Sequence, residues 1–402
     1  MMNGSRDYIV SHPTGNTFVR ALLNELSKSD RLYKYFTTIG VGQKANLILK
    51  YIGKRREYDF NDDLISRQWM PEALRLCGGL KQSQEKKRRL ADRSYESLDL
   101  SVSKQLPLYS PKVIHSYEDG SFLTFLKAKE LGIQCSYELP IAHWKTVRRL
   151  LAEEADRLPD WEPTLESSRE PEEKLARKEQ ELLLSDCITC PSKFVYDSIP
   201  VEIKKQKSCH ISPFGSPMIN DKLKKTFKDK NKPLKVLFVG SMSQRKGLAD
   251  LFSALKLLKT NHIKLTVLGS PSMPMSFYRK QFSDFSYLPP CSNKEVRNEM
   301  FKHDLLALPS IIEGRALVQQ EAMSTGLPII ITPNTGGEDL VEDTKTGFIV
   351  PIRSPEKIAE KIEWFLKNQA LLKEISLNSI AKAKEFTWGN YAKEIVNLFQ
   401  LS

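Results

Sequence analysis

The sequence predicts an α/β protein made of two doubly wound parallel-sheet domains. Three observations predict it. A chain of 402 residues is long enough for two separate cores. Short apolar runs bounded by breakers recur along it, with helical patterns between them. A stretch of linker composition, Ile211–Gly215 followed by the Lys-rich NDKLKKTFKDKNKP, divides the alternation in two. Hydrophobic residues make up 40 % and charged residues 27 %, an ordinary balance for a soluble globular protein.

In the first half, Asp7–Val10 is a short strand. Gly15 permits a tight turn into a helix that carries Phe18, Val19, Leu22, Leu23 and Leu26 on one face. Tyr35–Ile39 is a second strand. The following Gly40–Ala45 fits the dinucleotide pattern G-x-G-x-x-A, with Asp59 and Asp62 at the distance of a ribose-binding acid. A whole strand and helix precede it, however, so a glycine-bearing loop at a strand end is preferred and an NAD-dependent oxidoreductase ranks below. Residues 45–103 then break the alternation as a basic insertion. Leu47, Ile48 and Tyr51 suit a helix running into Lys54-Arg55-Arg56-Glu57, Trp69–Leu76 is a second amphipathic segment, and Lys81–Arg93 is strongly basic. Aromatic and aliphatic residues beside these cations suit an anionic membrane surface, at about 1 kcal/mol per cation. A solvated helix face is the equal alternative. Lys112–Ser116, the helix Phe122–Leu131 and the strand Gly132–Glu138 form a βαβ unit. Ala152–Glu181 is helical apart from a break at Pro159–Pro163, and Ser185–Thr189 is a strand.

The second half begins with the apolar strand Leu234–Val239, the loop Gly240–Gly247 and the helix Leu248–Leu258. Lys264–Leu268 and Tyr287–Leu288 extend the sheet. Leu305–Leu308 and Pro328–Ile331 flank a helical pattern of Leu317, Val318, Glu321 and Ala322. Ile358–Leu366, Leu371–Ala383 and Trp388–Leu398 are closing helices. The expected domains are residues 1–210, 211–385 and a returning segment 386–402.

A formal charge of +12 fits nucleic acid, an anionic membrane or a phosphorylated substrate; for the scattered lysines a solvated surface is preferred, and nucleic acid is not an expected partner. No run of 18 apolar residues occurs, and the first residues lack a signal peptide's apolar core. A cytoplasmic location is expected, and contact of the basic insertion with the inner face of the membrane stands beside the solvated alternative. Cys187 and Cys190 have ligand-like spacing without a second pair, so they are read as reduced residues of a buried strand.

Glu313 and Glu321 stand eight positions apart, the first in a loop and the second a turn into a helix. They are thus about 10 Å apart with the helix N-terminus between them. Free N–H groups at Gly314, Arg315, Ala316 and Leu317 would seat a phosphate there. A diphosphate flanked by two hydroxyl-bearing groups has this shape, and a nucleotide sugar is such a molecule. Ser310, Glu313-Gly314, Glu321-Ala322-Met323, Gly326-Leu327-Pro328, Gly336-Gly337 and Thr346-Gly347-Phe348 resemble the donor-site signature of glycosyltransferase family 4, retaining enzymes of GT-B fold, whose two Rossmann-like domains face a central cleft.

The resemblance implies that Glu313 binds the donor sugar and Glu321 the ribose hydroxyls. It implies that Arg245 and Lys246, in the loop with Gly240 and Ser241, hold the diphosphate, and that the Gly15 loop approaches the diphosphate or the acceptor. A histidine facing the reacting centre is expected, His143 first and His115 second, with Glu138 or Glu118 to orient it. Arg315-Ala316 departs from the family's usual aromatic residue and glycine, setting a bulky cation near the sugar-phosphate. The implied function is sugar transfer from a nucleoside diphosphate to a glycan or lipid-linked acceptor of the cell envelope. No D-x-D occurs, so neither metal nor other cofactor is expected. A nucleotide-sugar-binding partner subunit without turnover, and a sugar epimerase, are the alternatives.

Overall fold

Every neighbouring pair in the two large sheets is parallel, so each strand is followed by a crossover that covers a sheet face. The structure, a computed structural model, describes residues 6–45, 56–70, 72–73, 84–165, 170–219 and 232–399. The first half forms β1 (Tyr8–Ser11), α1 (Thr17–Lys28), β2 (Leu32–Thr37), β3 (Val41–Gln43), β4 (Glu57–Asn61), β5 (Ile65–Arg67), α2 (Gln84–Gln105), β6 (Val113–Tyr117), α3 (Phe122–Glu130), β7 (Gln134–Glu138), α4 (Trp144–Arg157), α5 (Glu172–Leu184), β8 (Cys187–Cys190), α6 (Lys193–Ser198), α7 (Val201–Gln206) and β9 (Ser208–Ile211). Its sheet runs β5-β2-β1-β6-β7-β8-β9, with β3 and β4 as a separate pair.

The second half forms β10 (Leu234–Val239), α8 (Leu248–Leu258), β11 (Ile263–Leu268), α9 (Met275–Gln281), β12 (Phe285–Leu288), α10 (Asn293–Met300), β13 (Leu305–Leu308), α11 (Leu317–Ser324), β14 (Ile329–Ile331), β15 (Gly347–Ile349), α12 (Pro355–Lys367), α13 (Leu372–Glu385) and α14 (Trp388–Asn397). Its sheet runs β12-β11-β10-β13-β14-β15. The apolar runs Leu305–Leu308 and Ile329–Ile331 are wholly buried, as strands covered on both faces must be. The last helix returns to the first half, where α14 lies on α1 and the Tyr8 hydroxyl donates to the carbonyl of Val396 at 3.1 Å.

Three segments differ from the sequence expectation. Gly40–Ala45 contains β3 and not a loop: a Cβ on Gly42 would lie 2.6 Å from the Asp62 backbone, so glycine lets the strand press against that segment. Asp62 is engaged by the Gly42 amide and by Arg67, which removes it as a ribose ligand. Glu57 begins β4 and does not end a helix; Leu47, Ile48, Tyr51, Lys54 and Arg55 lie outside the described residues. The break at Pro159–Thr164 is a 3-10 turn, whose Trp161 is buried in the core of the second half, with ring contacts to Phe252, Phe277 and Tyr278. Among the described residues, no helix is long and apolar enough to cross a membrane.

The halves also meet through an apolar cluster in which Ala142, Val147, Leu150, Leu151 and Leu165 pack on Ile311 and Ile312. Beside it, buried Glu154 accepts hydrogen bonds from Arg157, Gln244 and Arg353, and Arg157 also pairs with Asp250 at 2.8 Å. Charges this deep are tolerated because each is paired and hydrogen-bonded.

Candidate active site

In each sheet the strand order reverses beside its first strand, between β1 and β6 and between β10 and β13. Ligands of open α/β sheets bind beyond the carboxyl ends of the strands at such a point. In the second half the loops there are Gly240–Gly247 and Pro309–Ala316. They touch at Gly247, where φ is +75° and a Cβ would stand 1.9 Å from the carbonyl oxygen of Pro309. The Arg245 carbonyl accepts the Ile311 amide at 2.9 Å and so brings Glu313 toward the neighbouring loop.

Two cations converge on one atom. Arg245 Nη1 lies 2.8 Å and Lys246 Nζ 2.5 Å from Glu313 Oε1. Glu313 is only 8 % exposed, and among the described residues its Oε2 has no partner. Burial lowers the Lys246 pKa, with Glu313 opposing the shift and Arg245 reinforcing it. The trio keeps one net positive charge.

The amides of Leu317 and Val318 open α11 without an acceptor among the described residues, and the positive end of the helix dipole lies there. The Ala316 amide, by contrast, donates to the Thr335 carbonyl at 3.2 Å and is not free as expected. Glu321 is half-buried on α11; burial raises its carboxyl pKa against the pull of Arg297. In the other loop Gly240 has φ +147°, and the Ser241 and Ser243 hydroxyls lie 3.1 Å apart. Gly314 is pressed against the first half: a Cβ there would be 1.7 Å from the Pro140 carbonyl oxygen, and the Ser192 hydroxyl donates to the Gly314 carbonyl at 2.6 Å.

Five expected residues, Arg315, His143, His115, Glu138 and Glu118, are held by other partners. Arg315 is turned away from the crevice, 4 % exposed, against Gln320, the Gly336 carbonyl and Asp339. A buried guanidinium takes that position because an acid and two neutral acceptors are available there. His143 caps α4, its Nδ1 accepting the Lys145 amide at 3.4 Å while Nε2 lies 3.3 Å from Glu179. Burial lowers its pKa to about 4, so the ring is a neutral structural cap. His115 is inside β6 against Ser136, with its pKa lowered to about 3 by burial. The expected orienting acids are engaged elsewhere, Glu138 by the Thr189 hydroxyl and Glu118 by Lys178. Gly15, at φ +61°, leaves room for the Tyr58 hydroxyl, which a Cβ would meet at 1.9 Å.

Sequence reasoning missed His12 and Gln244. His12 Nδ1 accepts the amides of Thr14 and Gly15 at 3.0 and 2.9 Å and so shapes the loop after β1. Burial first, then His115 and Arg56, lower its pKa to about 3. Its signal was a histidine directly after the first strand. Gln244 precedes the two cations and is held from the first half by Glu154 and by the Thr164 hydroxyl. Nothing local in the sequence marks it.

Two parallel-sheet domains with these strand orders make up the GT-B fold. Residues 219–383 match the family model described as Glycosyl transferases group 1. An uncharacterized glycosyltransferase of Methanocaldococcus jannaschii is 27 % identical over 180 residues, 42 % of this chain and 45 % of that protein. The capsular polysaccharide biosynthesis glycosyltransferase CapM of Staphylococcus aureus is 27 % identical over 213 residues, 48 % of this chain and 55 % of its own length. The matches thus span about half the length of these relatives. Sucrose-phosphate synthase from Thermosynechococcus elongatus superposes with a TM-score of 0.71 over 98 % of both chains at 16 % identity, a likeness of fold.

Proposed function

We propose that this protein is a retaining, metal-independent glycosyltransferase that moves a sugar from a nucleoside diphosphate to a glycan or lipid-linked acceptor in cell-envelope polysaccharide synthesis. The observation that carries the reading is the meeting of Arg245 and Lys246 on one oxygen of Glu313, beside the open amides of α11. The family match over 219–383 and the part of CapM in capsular polysaccharide biosynthesis support it.

In this reading the donor diphosphate takes the two cations from Glu313 and rests on the Leu317 and Val318 amides, while Gly240 and Ser241 let it approach their loop. Charge grows on the diphosphate as the sugar bond breaks, and preset cations stabilise that charge without reorganising. Glu313, released, accepts a hydroxyl of the sugar, and Glu321 accepts the ribose hydroxyls. The acceptor enters from residues 1–210, and its proton leaves with the diphosphate on the same face. No residue seen at the crevice requires a metal or another cofactor in this scheme. The cytoplasmic, membrane-facing placement belongs to the same proposal. Its support is Trp69 and Met70, 60 % and 62 % exposed, on the sequence stretch that includes the basic helix α2.

A thermal-shift panel of nucleoside diphosphates and their sugars tests the core of the reading. Stabilisation by at least one of them, and transfer that survives chelation of divalent ions, are expected. Indifference to the whole panel would sink it. An inverted product anomer would refute retention, and failure to sediment with anionic vesicles at low salt would refute the membrane contact.

A further inference from the structure

The main chain passes between the two sheets at two places, and they lie side by side. One runs from the end of β9 through Ser212–Ser216; the other is Phe386–Trp388, between α13 and α14. The Ser216 amide donates to the Phe386 carbonyl at 2.9 Å. Gly215 is so close that a Cβ would stand 2.3 Å from the Trp388 nitrogen. Phe214 stacks on Phe18 at 5.0 Å and faces Trp388 at 6.0 Å. Any change in the angle between the sheets must bend the backbone here.

Gln320 reaches this pair from the donor helix. It is fully buried, and its amide donates to the Phe214 carbonyl at 2.5 Å and to the Ser216 hydroxyl at 3.2 Å. Its carbonyl accepts from Arg315 Nε at 3.1 Å. The Arg315 guanidinium also lies 4.9 Å from the centre of the Phe386 ring, on the second crossing. Its Nη1 binds the Gly336 carbonyl at 3.1 Å and Asp339 at 2.7 Å. One planar fork therefore touches the donor loop's own neighbours and, directly or through Gln320, both crossings. An ammonium would keep the charge but not these simultaneous contacts.

We propose that Arg315 is a positioning residue that couples the donor loop 313–316 to the paired crossings, so that occupation of the donor loop stiffens the hinge. This rests on the donor reading above. A phosphate seated on the α11 amides fixes the backbone of Arg315, and the fork passes that constraint to Gln320, Phe214 and Phe386. The departure from an aromatic residue at position 315 then serves movement between the halves and not recognition of the sugar.

The test is hydrogen exchange of the full chain, with and without whichever of UDP, GDP, ADP, CDP and TDP gives the largest thermal shift. In the wild type, nucleotide is expected to slow amide exchange in 212–217 and 386–390 about tenfold, within the usual range of intersite coupling. Arg315→Lys, which keeps the charge, should lose that slowing. Gln320→Met should lose it too while binding the nucleotide within about threefold of wild type. Slowing that persists in both folded variants overturns the coupling alone, as does a wild type that binds nucleotide without any slowing. A wild type that binds none of the five overturns the donor reading and the coupling together.

Discussion

Replacing Glu313 by glutamine should tighten the binding of a nucleoside diphosphate while slowing transfer, two effects of opposite sign from one substitution. In the free protein the carboxylate oxygen holds Arg245 at 2.8 Å and Lys246 at 2.5 Å, and an incoming phosphate must take both cations from it. At an effective dielectric constant of 20, each such pair has a gross attraction of about 6 kcal/mol. Most of this is offset, because the cations regain other partners and water when released. What remains should be close to the low end for a hydrogen bond to a charged group, about 1.5 kcal/mol, or roughly tenfold in Kd. Transfer loses the acceptor that orients the donor sugar, and a loss of about a hundredfold is expected.

The pH profile supplies a second sign. Lys246 has a pKa lowered by burial, and Glu313 is the group that opposes the shift. The cation is the form that binds phosphate, so affinity falls as rising pH removes its proton. In Glu313→Gln that fall must begin at lower pH than in the wild type. Calorimetric titration across pH, with a nucleoside monophosphate as control, reads both effects. Unchanged or weaker diphosphate binding in a folded Glu313→Gln protein would refute the idea that the carboxylate holds the cations in reserve.

Gly314→Ala places a methyl group 1.7 Å from the Pro140 carbonyl oxygen, so the two halves must part; transfer should drop by about a hundredfold or more, while nucleotide binding in the second half changes less. Glu154→Ala leaves Arg157, Arg353 and Gln244 without their common buried acceptor, and denaturant unfolding should show a loss of about 3–5 kcal/mol. Glu138 is buried beneath Tyr391, and burial raises its pKa from 4.5 to about 7. Its favourable contribution to stability is therefore complete below about pH 4.5 and is lost as pH rises through about 7. Glu138→Gln should remove this dependence, gaining up to about 3 kcal/mol on the wild type between pH 4.5 and 8 in melts of both proteins. Parallel melting curves across that range would contradict the assignment.

Much of the fold was legible because its strands are buried on both faces. Val236–Val239 and Leu305–Leu308 are unbroken apolar runs, and the structure puts strands on those very residues. The helix Leu248–Leu258 was equally plain from its apolar face. The edges were less legible. Residues 57–61 do alternate, with Tyr58 and Phe60 buried, but the run is only five residues long, and β4 and β5 depend on pairing with distant β3 and β2. At the crevice the structure brings Arg245, Lys246 and Glu313 together, residues whose loops at strand ends carry a local signature in the sequence. The partners of His143, His115 and Arg315 were not legible, since side-chain direction depends on neighbours farther along the chain: Glu179, Ser136 and Asp339.

The sequence by itself determined the alternation of strands and helices and the two-sheet division, which follow from periodicity, glycine placement and linker composition. Only the tertiary structure decided which polar groups face the crevice and which are consumed in holding the halves together. Glu154 with Gln244, Trp161 in the opposite core, and Gly314 against Pro140 are contacts between segments tens to hundreds of residues apart. Such contacts need both sheets in place, because each requires a burial or a close approach that no single segment can supply.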